Sequence, residues 1–133
     1  MILGLGSDIV DVRRIERLYL QYGKRLGRLL FTDSEWTASQ LGSDRVAFLA
    51  KRFAAKEAFV KALGTGFGQR GNIVWRDIEV INDHLGKPSI FLRDHALAYM
   101  KEIAKQHGVN EYRFHLSLSD EFPYAIANVL IEI

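Results

Sequence analysis

The chain has 133 residues, of which 48% are hydrophobic and 26% charged, with a formal net charge of +2 and no cysteine. These values predict one globular domain over residues 1–133 and exclude a disulfide framework and a thiolate metal site. We expect neither a nucleic acid nor a membrane partner, because the net charge is small and no apolar run approaches the roughly 18 residues of a membrane span. The first residues contain no basic leader, so we expect no signal peptide and a cytoplasmic location.

Capping residues, glycines and hydrophobic periodicity divide the chain into strands and helices. We predict strands at 2–10, 72–83, 88–92, 111–119 and 124–133, and helices at 11–22, 24–30, 44–63 and 94–108, with Asp94 as a cap and a further helix after the Thr32–Glu35 capping box. The last two strands form a hairpin across residues 120–123. Such connections favour an α+β fold, with an antiparallel sheet packed against the long central helix at 44–63.

The first two helices carry a cluster of positive charge. Arg13, Arg14, Arg17, Lys24, Arg25 and Arg28 lie within sixteen residues and are opposed only by Glu16. Such a patch favours an acidic partner or phosphate groups, and a solvated helix face is the alternative.

The central helix carries charge on two of its faces. Arg52 and Lys56 fall inside a stripe of Phe and Leu, where a cation breaks the apolar pattern and indicates a site, unless the stems pack and the charges reach water. Glu57 and Lys61 lie on another side, together with a row of four alanines spaced four residues apart, Ala50, Ala54, Ala58 and Ala62. Small residues admit a second backbone, so we favour a narrow crevice at Glu57 and Lys61 over an exposed ion pair.

Asp8 is a second carboxylate in an unusual place, because aspartate is disfavoured within a strand and needs a partner or a cation when buried. Asp8 and Glu57 are therefore candidate Mg²⁺ ligands, since two carboxylates with water and phosphate oxygens are typical of such a site. Lys61, Lys56 and Arg52 are the candidate phosphate-binding cations. The glycine-rich loop that begins at Gly64 can present backbone N–H groups to phosphate, or can simply end the helix.

Four segments together resemble the holo-acyl-carrier-protein synthase family of short phosphopantetheinyl transferases. They are GLGSDIVDVRRIER, RFAAKEAFVKALGTG, WRDIEVINDHLGKP and HLSLSDEFPYAIANV, which follow in order over nearly the whole chain. The FAAKEAFVKALGTG block is the specific one. The resemblance implies transfer of the 4′-phosphopantetheine arm of coenzyme A to a serine of apo acyl carrier protein in fatty acid synthesis, and a homotrimer with active sites between subunits.

The resemblance also implies roles for individual residues. Asp8 and Glu57 match the Mg²⁺ ligands, Lys61 matches the lysine at the reacting phosphate, and Arg52 matches a residue that contacts coenzyme A phosphate from the subunit interface. The coenzyme A contacts further include Gly64, Thr65 and Gly66 in the loop after the helix and Gly86, Lys87 and Pro88 in a turn. The docking face for the acidic carrier protein corresponds to Arg13, Arg14, Arg17, Arg25 and Arg28.

Some questions stay open at this point. Several members have histidine where this chain has Asp120, so that phosphate contact cannot be transferred, and His115 is an uncertain substitute. Either Glu57 or a metal-bound water can act as the general base. The alternatives to the transferase are a Mg²⁺-dependent hydrolase of a nucleotide diphosphate, using the same Asp, Glu and Lys, and a basic RNA-binding module.

Overall fold

The computed structural model describes residues 1–133. It contains five strands and five helices, connected by short turns. In chain order these are β1 Ile2–Asp11, α1 Val12–Tyr22, α2 Lys24–Leu30, α3 Asp33–Leu41, α4 Arg45–Leu63, β2 Ile78–Asn82, β3 Pro88–Leu92, α5 Asp94–Gln106, β4 Arg113–Glu121 and β5 Tyr124–Glu132, with 3₁₀ turns at Arg70–Asn72 and Trp75–Asp77.

The strands form two antiparallel sheets, which confirms the predicted α+β class. One sheet has the order β1-β5-β4, and the other is the β2-β3 hairpin. Strand β5 lies in the middle of the larger sheet, where Asp8 on β1 is opposite Ala127 and Leu118 on β4 pairs with the same residue. The first and last strands of the chain are therefore neighbours, and β1 is an edge strand.

Helix α4 packs across the larger sheet, closest to β1. Ala50, Ala54 and Ala58 are completely buried. A Cβ atom at Gly6 would overlap the carbonyl oxygen of Ala58, and one at Gly4 would overlap that of Ala62. The prediction that the alanine row admits another backbone is thus correct, and the backbone is β1. Because only glycine fits at this distance, the strand and the helix fix each other's position.

The predicted apolar stripe of α4 forms much of the core. Leu49, Phe53, Phe59 and Val60 are buried, whereas Phe48 and Leu63 are partly buried at its margin. The ring of Phe59 meets Phe114 of β4 edge to face, with centroids 5.2 Å apart. This aromatic contact ties the helix to the far strand of the sheet.

The predicted strand at 72–83 is wrong over its first half. Asn72 has a positive φ of 52°, and the following 3₁₀ turn is closed by the Asp77 carboxylate, which accepts a hydrogen bond from the Val74 N–H at 3.1 Å. The turn directs the Trp75 ring inward, where it stacks between Phe53 and Phe67 with centroid distances of 4.8 and 4.0 Å. The apolar residues whose pattern predicts a strand here are therefore buried by a turn instead.

The prediction that Asp94 caps its helix is also wrong. Arg93 is the N-cap residue, and Asp94 is the first residue of α5 with a φ of 44° and no side-chain capping hydrogen bond. The Thr32–Glu35 capping box, by contrast, is present as predicted: Glu35 N–H donates to Thr32 Oγ1, and Thr32 N–H donates to Glu35 Oε1. None of the helices combines the length and apolar character that crossing a membrane requires.

Candidate active site

The structure brings Asp8 and Lys61 together where β1 crosses α4. Lys61 Nζ donates to Asp8 Oδ1 at 2.9 Å and to the carbonyl oxygen of Ser7 at 3.1 Å. The Asp8 side chain is only 13% exposed, while that of Lys61 is 52% exposed. The close approach permitted by Gly4 and Gly6 places these groups within reach, so a strand aspartate gains the partner that burial demands.

Glu57 lies one helical turn before Lys61 and is half-buried. Its side chain makes no hydrogen bond or ion pair. Burial, followed by repulsion from Asp8, raises the pKa of Glu57, while Lys61 and Arg14 oppose the rise. The expected crevice is present at Glu57, which lines the groove described below, but not at Lys61, whose side chain is at the surface. The alternative, an ion pair between Glu57 and Lys61, is also not formed, because Lys61 pairs with Asp8 instead.

The pair of carboxylates fits a divalent cation such as Mg²⁺. The two carboxylates repel one another, and Glu57 has no hydrogen-bond donor as a partner. A bound cation would therefore reduce an electrostatic cost that the protein does not itself compensate. There is no group of three or more His, Asp or Glu side chains that could hold a metal alone. Substrate and water oxygens would have to supply the remaining ligands of a cation bound by Asp8 and Glu57.

An apolar groove opens beside Glu57, between α1, α2 and α4. It encloses about 440 Å³, and most of its lining is hydrophobic. Its lining residues are Arg14, Leu18, Tyr22, Arg25, Leu26, Leu29, Leu30, Phe53, Glu57 and Trp75. Sequence analysis found the arginines here but missed the groove, although Leu26 and Leu29 next to Arg25 and Arg28 were a visible signal of it.

The basic residues around this groove differ in whether a carboxylate neutralises their charge. Arg13 is paired with Asp11, with Nη2 to Oδ2 at 2.7 Å, and these hydrogen bonds lower the pKa of Asp11 to about 2. Arg14 and Arg25 have no carboxylate partner and lie over the rings of Phe53 and Tyr22, at 5.4 and 5.6 Å. Arg17 and Arg28 are also exposed and make no ion pair. The available positive charge of this cluster is therefore that of the four arginines other than Arg13 and of Lys24, which is exposed and makes no ion pair either.

The glycine-rich loop follows α4 directly. Gly64 ends the helix in the left-handed conformation with a φ of 72°, and its N–H bonds to the carbonyl oxygens of Lys61 and Val60. Thr65 is buried, and its hydroxyl has no hydrogen-bond partner. Gly66 also has a positive φ, of 66°. The Phe67 ring on Trp75 anchors the loop to the protein a few residues after Lys61.

Lys56 does not belong to this site, and its predicted role as a phosphate-binding cation needs correction. Its ammonium group is fully buried and donates to Glu35 Oε1 at 2.6 Å, to the Leu30 carbonyl at 2.8 Å and to the Trp75 carbonyl at 3.2 Å. All three donors are used inside the protein. Lys56 therefore connects α4 to α2, α3 and the Trp75 turn, and no donor is left for a ligand.

Arg52 lies on a different side of α4 from Glu57, since five residues correspond to a rotation of about 140°. Its Nη2 donates to Asn82 Oδ1 at 3.0 Å, and Asn82 is paired with Pro88 in the β2-β3 hairpin. The structure thus brings Arg52 close to the predicted Gly86–Lys87–Pro88 turn. That turn is exposed and makes no hydrogen bond to Asp8, Glu57 or Lys61. One chain therefore carries two separate groups of predicted site residues.

Two polar residues of β4 lie apart from both groups. His115 Nε2 is 3.5 Å from Glu132 Oε1 on the exposed side of the sheet. Asp120 is 3.4 Å from Lys51 Nζ. Neither contact gives these residues a place beside Asp8 and Lys61.

The fold and this site define a member of a known enzyme class. Residues 4–127 match the model of the 4′-phosphopantetheinyl transferase superfamily, and the chain belongs to this family. It is 45% identical over 132 residues to the holo-[acyl-carrier-protein] synthase of Bartonella tribocorum, covering 99% of this chain and 96% of that protein. It is 48% identical over 131 residues to that of Serratia proteamaculans, covering 98% of each.

Solved structures agree with this assignment. The crystal structure of holo-[acyl-carrier-protein] synthase from Neisseria meningitidis is similar with a TM-score of 0.83 and 37% identity, covering all of both chains. The structure of the Bacillus anthracis synthase in complex with CoA (3′,5′-ADP) has a TM-score of 0.77 and 34% identity, covering 99% of this chain and 97% of that one. The predicted family and the prediction of a transferase are confirmed.

Proposed function

We propose that this chain transfers the 4′-phosphopantetheine moiety of coenzyme A to a serine hydroxyl of an apo acyl carrier protein and releases adenosine 3′,5′-bisphosphate. The observation that carries the proposal is the convergence of Asp8, Glu57 and Lys61 at the edge of an apolar groove rimmed by arginines. Relatives that match over nearly the full chain are named for this reaction, and three related synthases were solved with CoA.

Each residue of the site has a distinct chemical task in this reaction. Mg²⁺ held by Asp8 and Glu57 would neutralise and orient the diphosphate. Lys61 has its ammonium group half in solvent and anchored on Asp8, so it can stabilise the charge that develops on the phosphate oxygens. Backbone N–H groups at Gly64, Thr65 and Gly66 would lie along the coenzyme A.

The attacking serine must lose its proton as its oxygen forms a bond to the β-phosphate, while the bond from that phosphorus to adenosine bisphosphate breaks. Glu57 can accept this proton when it does not bind the cation, and a water molecule is the alternative acceptor. Burial raises the pKa of Glu57 in the protein without a cation, and this favours proton transfer to it, because a base whose pKa is closer to neutrality transfers protons more effectively. Its place in the lining of the groove puts it where a bound partner would present the hydroxyl.

The groove and its arginines are the proposed docking surface for the carrier protein. Arg14, Arg17, Arg25 and Arg28 supply charge for an acidic partner, with Arg13 weakened by Asp11, and the leucines between them supply apolar area. Charge of this kind mainly raises the association rate and makes it sensitive to salt. We expect association to slow as salt increases.

A homotrimer with shared active sites is part of the proposal. Two observations favour it: the separation of Arg52 and the Gly86–Lys87–Pro88 turn from Asp8 and Glu57 within one chain, and an exposed apolar face on the larger sheet. There Leu5 pairs with Leu130 and Ile9 with Ile126, and Leu5 and Ile9 are 67% and 59% exposed. Exposed apolar rows of this kind mark association surfaces. Participation in fatty acid synthesis and a cytoplasmic location remain predictions from the sequence.

The proposal is tested by the intact mass of an apo acyl carrier protein after incubation with the chain, coenzyme A and Mg²⁺, beside an EDTA control. A gain of one phosphopantetheine unit that requires Mg²⁺ is expected, and Asp8→Asn and Glu57→Gln should abolish it. Lys51→Met, which changes a partly buried lysine of the same helix that pairs with Asp120, is the matched control and should retain activity. Consumption of coenzyme A without a mass gain would instead indicate the hydrolase.

A further inference from the structure

Arg52 is a buried cation without an ion-pair partner, and Glu35 is the one carboxylate whose charge acts on it from a greater distance. Only 3% of the residue is exposed, and no carboxylate lies within ion-pair distance of its guanidinium. Its single hydrogen bond goes to the neutral Asn82 side chain, and Nε has no partner. The contrast with Lys56, one turn later and fully compensated by Glu35, shows that the fold can supply a carboxylate to a buried cation of this helix.

The orientation of the guanidinium, unlike its charge, is well determined. Its central carbon lies 3.6 Å from the centroid of the Phe48 ring, and Asn82 accepts from one end. Burial lowers the pKa of Arg52 to about 10, which still leaves it protonated at neutral pH. The Phe48 ring and the neutral Asn82 acceptor therefore fix the plane of the guanidinium without neutralising it, so its charge can interact with a ligand.

The charge borders a cavity that can hold an anion. This cavity encloses about 270 Å³, and Ser34, Arg52 and Asn82 contribute polar groups to its lining. Glu35 also lines it, with its carboxylate paired to Lys56. The Ser34 hydroxyl makes no hydrogen bond within the protein. Asn82 belongs to the hairpin that carries the Gly86–Lys87–Pro88 turn, so the cavity and the turn share one support.

We propose that Asn82 is a positioning residue that aims the Arg52 guanidinium at a phosphate group of coenzyme A while leaving its charge uncompensated. The inference rests on the proposed function, because that function supplies the phosphate. An aspartate at the same position would accept the same hydrogen bond but would neutralise the guanidinium internally. The amide is thus the side chain of this shape that orients the arginine and keeps it free for a ligand.

The experiment compares coenzyme A binding to the full-length native chain, Asn82→Asp, Asn82→Ala and Asn110→Asp by calorimetry at one salt concentration. We expect Asn82→Asp to raise the Kd about tenfold or more, equivalent to about 1.4 kcal/mol, and Asn82→Ala to raise it less. Asn110→Asp makes the same change in the exposed loop before β4 and should bind as the native chain does. With the carrier protein present, the KM for coenzyme A should follow the Kd while kcat is retained.

The order of the variants separates positioning from a merely structural role. If Asn82 only supported the fold, aspartate would be the milder change, because it still accepts from Arg52, and alanine the more severe. Asn82 is exposed at the end of β2, and melting temperatures of both variants will show that they fold. Native-like binding by Asn82→Asp, or weaker binding by Asn82→Ala than by Asn82→Asp, overturns the inference alone. A native chain that does not bind coenzyme A overturns the proposed function with it.

Discussion

Replacing Lys56 by methionine tests the most deeply buried charge of the molecule. The change leaves the Glu35 carboxylate buried with only the Thr32 and Val80 N–H groups as donors, and it removes a donor from the carbonyl oxygens of Leu30 and Trp75. Removing one partner of a buried pair costs about 3–5 kcal/mol. Because Glu35 keeps two backbone donors, we expect the lower end, about 3 kcal/mol.

This loss converts into a measurable shift of the melting temperature. Unfolding entropy of roughly 2.1 cal/mol/K per residue, over the 133 residues of the chain, gives about 280 cal/mol/K, so the midpoint should fall by about 11 °C. The assay is thermal unfolding followed by circular dichroism, with all variants at the same protein concentration. Lys51→Met is the control, because its pair with Asp120 is partly exposed and worth no more than about 1 kcal/mol.

A double variant isolates the ion pair from the lost packing. Glu35→Gln in the Lys56→Met background removes the unpaired charge, so the double variant should melt above Lys56→Met alone. A Lys56→Met chain that melts within about 2 °C of the native one would refute the reasoning. Kinetics supply a second check: a raised KM for coenzyme A with unchanged stability would reinstate Lys56 as a ligand contact.

Three further predictions concern the contact between β1 and α4 and the proposed cation site at Asp8 and Glu57. Gly6→Ala should destabilise the chain by about 3 kcal/mol or more in chemical unfolding, because its Cβ would overlap the Ala58 carbonyl; the same change at the exposed, loosely surrounded Gly42 should cost far less. Glu57→Gln should raise the melting temperature near pH 7 but not near pH 4: the folded-state pKa of Glu57 lies above its ordinary 4.5, so ionisation costs folding free energy as the pH rises through that window, and equal stabilisation at both pH values would contradict this. Added Mg²⁺ should raise the melting temperature of the native chain without coenzyme A, and an equal rise in Asp8→Asn would count against the carboxylate site.

Much of the fold followed from local signals. The five helices and the hairpin strands appear where periodicity, capping residues and glycines predicted them, because these signals act within a few residues of one another. The failures at 72–77 and at Asp94 have a common cause. Both depend on contacts between distant segments. Trp75 is buried by stacking on Phe53 of α4 and not within a sheet, and the start of α5 is set by Arg93, whose N–H donates to the Asp77 carbonyl oxygen.

The candidate site divides in the same way. The row of four alanines is readable in the sequence, and it correctly indicated a close backbone, but only the structure shows that Gly4 and Gly6 of β1 lie opposite it. Periodicity also showed that Arg52 and Lys56 lie in the core stripe, but the same signal is compatible with a ligand site, with snorkelling and with a buried ion pair. Only the location of Glu35, 21 residues away, distinguishes the last of these for Lys56.

The sequence by itself determined the family, the elements, the faces of the central helix and the identity of the charged residues on them. The tertiary structure alone decided which charge meets which partner: Lys61 with Asp8 across 53 residues, Lys56 with Glu35, and Arg52 with Asn82 across 30. The physical reason is that a helix pattern states which direction a side chain takes, whereas its partner depends on the packing of segments distant in the chain. Each of these partners comes from a separate element.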